Sequence, residues 1–525
     1  MFLLSFLYIR AQLEFANDVP TQWFTNKLDH FDVSNEQTFK QRYYYNNVNE
    51  VNGYNTAIIY IGGEGPLSSS SITGGAVMNL SASLHSALYS LEHRYFGESQ
   101  PFDKLTTENL KYLTINQALA DLAKFIDDVV IPNGRPNEEI RIGVVGGSYP
   151  GSLSSWFRLK YPHYAYASWA SSAPVLIKND FSEYDSYISS QLKLVSENCF
   201  AHTKEALDII EEKLNSDRGQ IIQDFGFDES EDDVSMLYSI VDALAAMVQY
   251  NSRYQLLEGH CERQNTSASY SGIVESVKKV CEIRGQTIKD FDLMMQTDED
   301  PTGPYASGRS WSYMTCREVG WFQTAAQDET RLRSKKINLE YFRNVCTQLF
   351  GIEKLANENE MNRYFGGNNP KQTKVFFLNG DVDPWSEMGV HIGDEGLLRP
   401  AIVIPNESHC ADLGAITDKD AEPLSLAKSL VINQMYSWLT EENCNGACVN
   451  GRCAVNGCVC NDGWGGEFCD VQIKSKEAFD YAIILGVSIP VVATVIIIFS
   501  VWIFYYKIKK PKKIDTRPLI PNSQI

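Results

Sequence analysis

The stretch RIGVVGGSYPGSLSSW, residues 141–156, decides how this chain is read. A β-branched run ends in two glycines, a serine stands at the turn, and a helix-forming run follows. A strand–turn–helix of this kind lifts the serine above the edge of a sheet and leaves the next residue's N–H free for a developing oxyanion. The frame departs from G-x-S-x-G, because Pro150 stands two residues after Ser148. Proline has no N–H, but first-turn donors of a helix lack an intrahelical acceptor anyway, and its fixed φ suits a helix start. The helix is therefore expected to begin at Pro150, with the Tyr149 N–H left as an oxyanion donor. Other serines, in GPLSSSS (65–71) and SWASSAP (168–174), lack a strand–turn–helix frame.

A serine hydroxyl needs a base, and the base needs a third group to hold its tautomer. In this frame the chain order is Ser, then Asp or Glu, then His. The chain has eight histidines, and only the late ones follow a candidate acid. LNGDVDPWS, residues 378–386, ends a strand-like run and offers Asp381 and Asp383, which spacing alone does not separate. His391 follows so closely that one strand end would have to supply both acid and base. His409 comes after the next strand-like run, AIVIP, and is the favoured base. GGEGP, residues 62–66, follows an earlier strand and offers Gly63 or Glu64 as second oxyanion donor. A buried charge group of Glu64, Glu92 and Arg94 beside the site is the alternative use of that acid. No cofactor or metal is called for.

Before the serine turn, strand-like runs start at Ala57 and Ala87, and residues 108–130 carry Leu119, Leu122, Ala123 and Ile126 at helical spacing. Another strand follows at 164–175. This alternation predicts an α/β fold with a mostly parallel sheet covered on both faces. From 181 to about 325 the runs are helical, as in EALDIIEEKL and VSMLYSIVDALAAMVQY. Strand signals return at TKVFFLNG and AIVIP. The expected order is a core part at 20–180, a helical cap at 181–325 and a second core part at 326–440.

Several stretches together resemble the serine carboxypeptidase family that contains Pro-Xaa carboxypeptidase, dipeptidyl-peptidase II and thymus-specific serine protease. They are WFTNKLDHFD, YIGGEGPL, LEHRYFGES, ENLKYLTINQALADLAKFI, GGSYPGSLSSWFRLKYPH, NGDVDPWS and ESHCADL, in the family's order from Trp23 to Leu413. The resemblance implies an α/β-hydrolase core with a helical cap, Ser148 as nucleophile, Asp383 as orienting acid and His409 as base. It implies short peptide substrates, some cleaved beside proline, with Trp385 as a pocket wall and the RSWSYMTC segment in the roof. Pro-Xaa carboxypeptidase carries a pocket methionine four residues after the nucleophile. Ser152 stands there in this chain, and in this respect the turn resembles the thymus-specific branch. A Cys316–Cys346 disulfide is also implied. Cys410, next to His409, is expected in a structural disulfide rather than as a nucleophile.

The 525 residues exceed one ordinary domain, and the net charge of -20 argues against nucleic-acid binding. Twelve cysteines, six of them within 444–469, point to an oxidising compartment. The cluster C-x3-C-x4-C-x4-C-x-C-x8-C resembles an EGF-like module (441–471), which implies Cys444–Cys453, Cys448–Cys458 and Cys460–Cys469. Residues 1–16 carry a short apolar run like a signal peptide. Residues 481–506 are apolar and uncharged, long enough to span a lipid bilayer, and KIKKPKK follows. The positive-inside rule then makes 507–525 a cytosolic tail, as in a single-pass type I protein of the endosomal, lysosomal or plasma membrane. In that tail Asp515, Leu519 and Ile520 fit an acidic dileucine sorting pattern read by adaptors. Sequons at Asn79, Asn265 and Asn406 suit a luminal body. The leading expectation is a membrane-anchored serine exopeptidase. The alternative is a surface binding protein that keeps the fold and the EGF-like module without catalysis.

Overall fold

The structure, a computed structural model, describes residues 19–51, 53–440 and, beyond them, 450–454, 457–461, 464–466 and 469–472. The signal-like stretch 1–16, the apolar stretch 481–506, the tail with Asp515, Leu519 and Ile520, and Cys444 and Cys448 lie outside these residues. Among the described residues no helix is long and apolar enough to cross a membrane.

Eight strands make the central sheet: β1 (Gln22–Lys27), β2 (Thr38–Asn46), β3 (Thr56–Ile61), β4 (Ala87–Leu91), β5 (Arg141–Gly147), β6 (Ala165–Ser171), β7 (Val375–Gly380) and β8 (Ala401–Ile404). Their order is β1-β2-β4-β3-β5-β6-β7-β8. β1 and β2 pair antiparallel, β2 meets β4 antiparallel, and every later pair is parallel. The two antiparallel edge strands carry no strong apolar run and are an addition to the sequence reading.

Neighbouring residues on one strand face opposite layers, as the pleat requires. Ile59 and Val144 join the core under α2 (Ile115–Phe125) and α3 (Tyr149–Lys160). Ile58 and Val145 pack with Val77 and Leu80 of α1 (Gly75–Leu84) and Met435 and Trp438 of α10 (Glu422–Thr440). Leu119, Leu122, Ala123 and Ile126 are buried together. The helix expected over 108–130 is divided: Thr107–Leu110 is a separate turn, Thr114 caps α2, and a wider π turn continues it through Val130.

Between β6 and β7 lies the helical layer: α4 (Glu183–Val195), α5 (Glu197–Ser216), α6 (Asp233–Gln249), α7 (Tyr270–Arg284), α8 (Ala306–Met314) and α9 (Leu339–Phe350). Its neck is closed by two short parallel strands, Lys178–Asp180 and Gly320–Phe322. The layer continues past residue 325: Cys346 of α9 is bonded to Cys316, and Phe342 stacks on Phe322 at 4.8 Å. The sheet resumes only at Val375. A second disulfide, Cys199–Cys261, joins α5 to the turn before α7. Core and cap form one compact unit through Thr440, and the described residues after it belong to another.

In that second unit Gly451–Ala454 pairs antiparallel with Gly457–Cys460, so Cys453 stands opposite Cys458 in the ladder. Trp464–Gly465 pairs with Val471–Gln472, and Cys460 is bonded to Cys469.

Candidate active site

Ser148 sits between β5 and α3 with φ 63° and ψ -134°, a conformation L-residues rarely adopt. Close packing holds it there. A Cβ on Gly146 would lie 2.1 Å from the Pro150 carbonyl oxygen, and one on Gly151 would lie 2.7 Å from that of Ser171. The Ser148 N–H donates to the Ser171 carbonyl at 2.9 Å, tying the turn to the end of β6. The helix begins at Tyr149, one residue before the expected Pro150. Its first i to i−4 bond runs from the Ser152 N–H to the Ser148 carbonyl, 3.1 Å. The Tyr149 N–H therefore has no helical acceptor, and proline costs the next position nothing.

Asp383 and His409 meet from two different strand ends. Asp383, fully buried after β7, accepts from the Trp385 N–H at 3.0 Å through one oxygen and lies 2.8 Å from His409 Nδ1 through the other. Asp381, the acid that spacing left open, engages Tyr187 and Gln191 through its carbonyl. His391 bonds the Ser386 carbonyl, not an acid. Burial by itself would lower the His409 pKa, but the Asp383 carboxylate and the adjacent Cys410 together outweigh it and hold the imidazole well above its usual value.

Ser148, His409 and Glu64 line one cleft of about 760 Å³. Glu64 belongs to the loop 62–65 after β3, where Gly63 is packed so closely that a Cβ there would meet Pro150 Cγ at 2.5 Å. Burial raises the Glu64 carboxyl. The alternative charge group is not formed: Glu92 bonds Arg42, and Arg94 pairs with Asp121 at 2.6 Å.

Two expectations need correction. Ser152 is fully buried, its hydroxyl donates to the Pro174 carbonyl at 2.9 Å, and it lines neither this cleft nor the aromatic cavity below. One helical turn beyond Ser148, its side chain turns to the segment after β6 rather than to the pocket. Cys410 is a free thiol in the cleft wall, not a disulfide partner. Its αL backbone, φ 58°, lets the chain reverse directly after His409, with its N–H donating to Ser172 Oγ at 2.9 Å. Cys281 is also free.

Trp385, expected as a pocket wall, lies beside His409. Its ring is 6.5 Å from His409 and 5.9 Å from Trp321, which lies 6.1 Å from Trp311, itself 5.4 Å from Tyr149. Trp311, Trp321 and Trp385 also border a cavity of about 310 Å³ under the cap.

Two groups were missed in the sequence. Gln249, at the end of α6, accepts from the His409 N–H through its carbonyl at 2.9 Å, and from Trp385 Nε1 at 3.0 Å and the Tyr184 hydroxyl at 2.9 Å through its side chain. Asp412 is buried and accepts from Trp169 Nε1 at 2.7 Å and from Ser171, anchoring the loop behind His409 to β6. Asp412 lies within ESHCADL and was open to notice as an acid in an apolar setting. Nothing local marks Gln249.

The strand order, the strained serine between β5 and α3, and an acid and a histidine after the last two strands define an α/β-hydrolase. The chain belongs to the serine carboxypeptidase S28 family, which matches residues 26–431, and is a serine-type peptidase. It is 31% identical over 457 residues to the thymus-specific serine protease of Mus musculus, covering 81% of this chain and 88% of that protein. It is 32% identical over 451 residues to the putative serine protease F56F10.1 of Caenorhabditis elegans, covering 78% and 82%. Lysosomal Pro-X carboxypeptidase of Bos taurus is 27% identical over 458 residues, covering 80% and 88%.

Proposed function

We propose that this chain is a membrane-anchored serine exopeptidase that hydrolyses short peptides through Ser148, His409 and Asp383. The observation that carries the reading is the pairing of His409 Nδ1 with buried Asp383 at 2.8 Å, in the cleft that the strained Ser148 also lines. His409 takes the Ser148 proton as the hydroxyl attacks the scissile carbonyl, and Asp383 stabilises the imidazolium that forms. The N–H groups of Tyr149 and of Gly63 or Glu64 receive the oxyanion. His409 then protonates the leaving amine, and water hydrolyses the acyl-enzyme by the same steps reversed.

The rings of Tyr149, Trp311, Trp321 and Trp385 form an apolar wall suited to a flat, compact side chain such as proline. The name of the bovine relative, a Pro-X carboxypeptidase, supports that preference. The cap above the cleft limits access to short peptides.

Residues 1–16 are read as a signal peptide, 481–506 as the transmembrane helix and 507–525 as a cytosolic tail with a sorting signal at Asp515, Leu519 and Ile520. Asn79, Asn265 and Asn406 are exposed, as glycosylation requires. Residues 441–471 are read as an EGF-like module, supported by the Cys460–Cys469 bond and the two short antiparallel pairs.

A fluorophosphonate probe tests the chemistry. The wild-type chain is expected to be labelled at Ser148 and to cleave peptides, and Ser148→Ala to lose both. A peptidase that goes unlabelled, or that survives this substitution, places the nucleophile elsewhere.

A further inference from the structure

The cleft that holds Ser148 and His409 has a direction. The histidine gives its proton to the leaving amine, so the residue released from the substrate lies on the His409 side. The groups on that side come from the cap turn after α6. Tyr250 packs edge-on to His409 with ring centroids 5.9 Å apart, and Arg253 lines the same cleft as His409 and Ser148.

This turn is locked to the catalytic loop. The His409 N–H donates to the Gln249 carbonyl at 2.9 Å. The Ser252 N–H donates to Ser408 Oγ at 3.1 Å, and the Ser408 N–H returns a bond to Ser252 Oγ at 3.3 Å. The Arg253 backbone therefore keeps its place relative to His409.

Its guanidinium is exposed, and no described carboxylate pairs with it; its contact is the Tyr254 ring, 5.4 Å from the centroid. The other cation of the cleft, Lys428, is held by Asp420 at 2.7 Å and the Ala415 carbonyl at 2.9 Å. Of the cleft's acids, Asp420 is thus engaged, Glu407 is buried, and Glu64 stands on the loop after β3. An unpaired guanidinium on the leaving-group side has the fork geometry that carboxylates take.

We infer that Arg253 binds the C-terminal carboxylate of the peptide and so directs this chain to act as a carboxypeptidase. The inference rests on the Ser148–His409 reading above. It concerns recognition, and Arg253 takes no part in bond breaking.

The test uses the full chain and pairs of N-blocked peptides that differ only in a C-terminal carboxylate or amide. The wild type is expected to prefer the free acid. Arg253→Met and Arg253→Gln are each expected to shrink that preference roughly tenfold, mainly through KM, the scale of one charge-assisted hydrogen bond. Arg253→Lys should restore part of it. An unchanged acid-to-amide ratio in both neutral variants overturns the inference. So does a wild type that cleaves amides equally well, or one that requires a free N-terminal ammonium, which would move recognition toward Glu64. Fluorophosphonate labelling of the wild type, lost in Ser148→Ala, reads the nucleophile separately. Arg253 can therefore fail while the serine mechanism stands.

Discussion

Gly63 and Pro150 meet where the loop after β3 approaches the serine turn, and their contact leaves no room for a methyl group on Gly63. In Gly63→Ala the new Cβ displaces the loop from the Tyr149 N–H. If that loop supplies an oxyanion donor, kcat should fall by roughly a hundredfold. Pro150→Gly removes the ring atoms in the way, so Gly63→Ala with Pro150→Gly should recover much of the loss. Steady-state kcat of the two single variants and the double variant checks this, and no recovery would separate the clash from the catalytic defect. Pro150, the departure from G-x-S-x-G, packs against this loop. Strand ends and chain order pointed to Ser148 and His409 and narrowed the acid to Asp381 or Asp383. Ser152 was not, because a side chain's direction within a helix depends on the layer it packs against.

At the scale of elements, the end of α6 is hydrogen-bonded to the loops that carry His409 and Trp385. Gln249 accepts two side-chain hydrogen bonds, from Trp385 and Tyr184, that no other described group is seen to satisfy. Gln249→Ala leaves two partly buried donors unpaired, at a stability cost of about 1 to 3 kcal/mol. It also frees the Trp385 ring. KM for peptides with an apolar side chain at the pocket should rise about tenfold, while the His409 N–H keeps its bond because Gln249 accepts it through the main chain. Gln249→Glu retains an acceptor and should restore KM. Thermal unfolding together with KM for the two variants tests the assignment, since a purely structural role would lower Tm without moving KM. Helical periodicity announced α6 in the sequence but not the meeting of its last turn with a loop 160 residues later, His409 minus Gln249.

On the scale of the whole molecule, the chain pairs one compact unit through Thr440 with a small cysteine-rich unit after it. If 481–506 spans the bilayer, the full chain should stay with membranes through an alkaline wash, and a chain ending at residue 475 should be recovered from the medium. Leu519→Ala with Ile520→Ala should then raise the surface share of the anchored form, read by surface biotinylation. Full-length protein released by the wash would remove the anchor, and an unchanged surface share would remove the sorting signal.

The sequence by itself determined the alternation of strands and helices, the serine turn, the chain order of acid and base, and the span of the helical insertion's start. These follow from local periodicity and from residues at strand ends, where few neighbours are needed to know the geometry. Only the tertiary structure decided that His409 takes Asp383, that Glu92 and Arg94 turn to Arg42 and Asp121, that Cys410 stays free, and that Gln249 and Arg253 border the site. Each of those depends on which distant segments the sheet and cap bring within hydrogen-bond or ion-pair reach, and hydrophobic pattern along the chain carries no record of that.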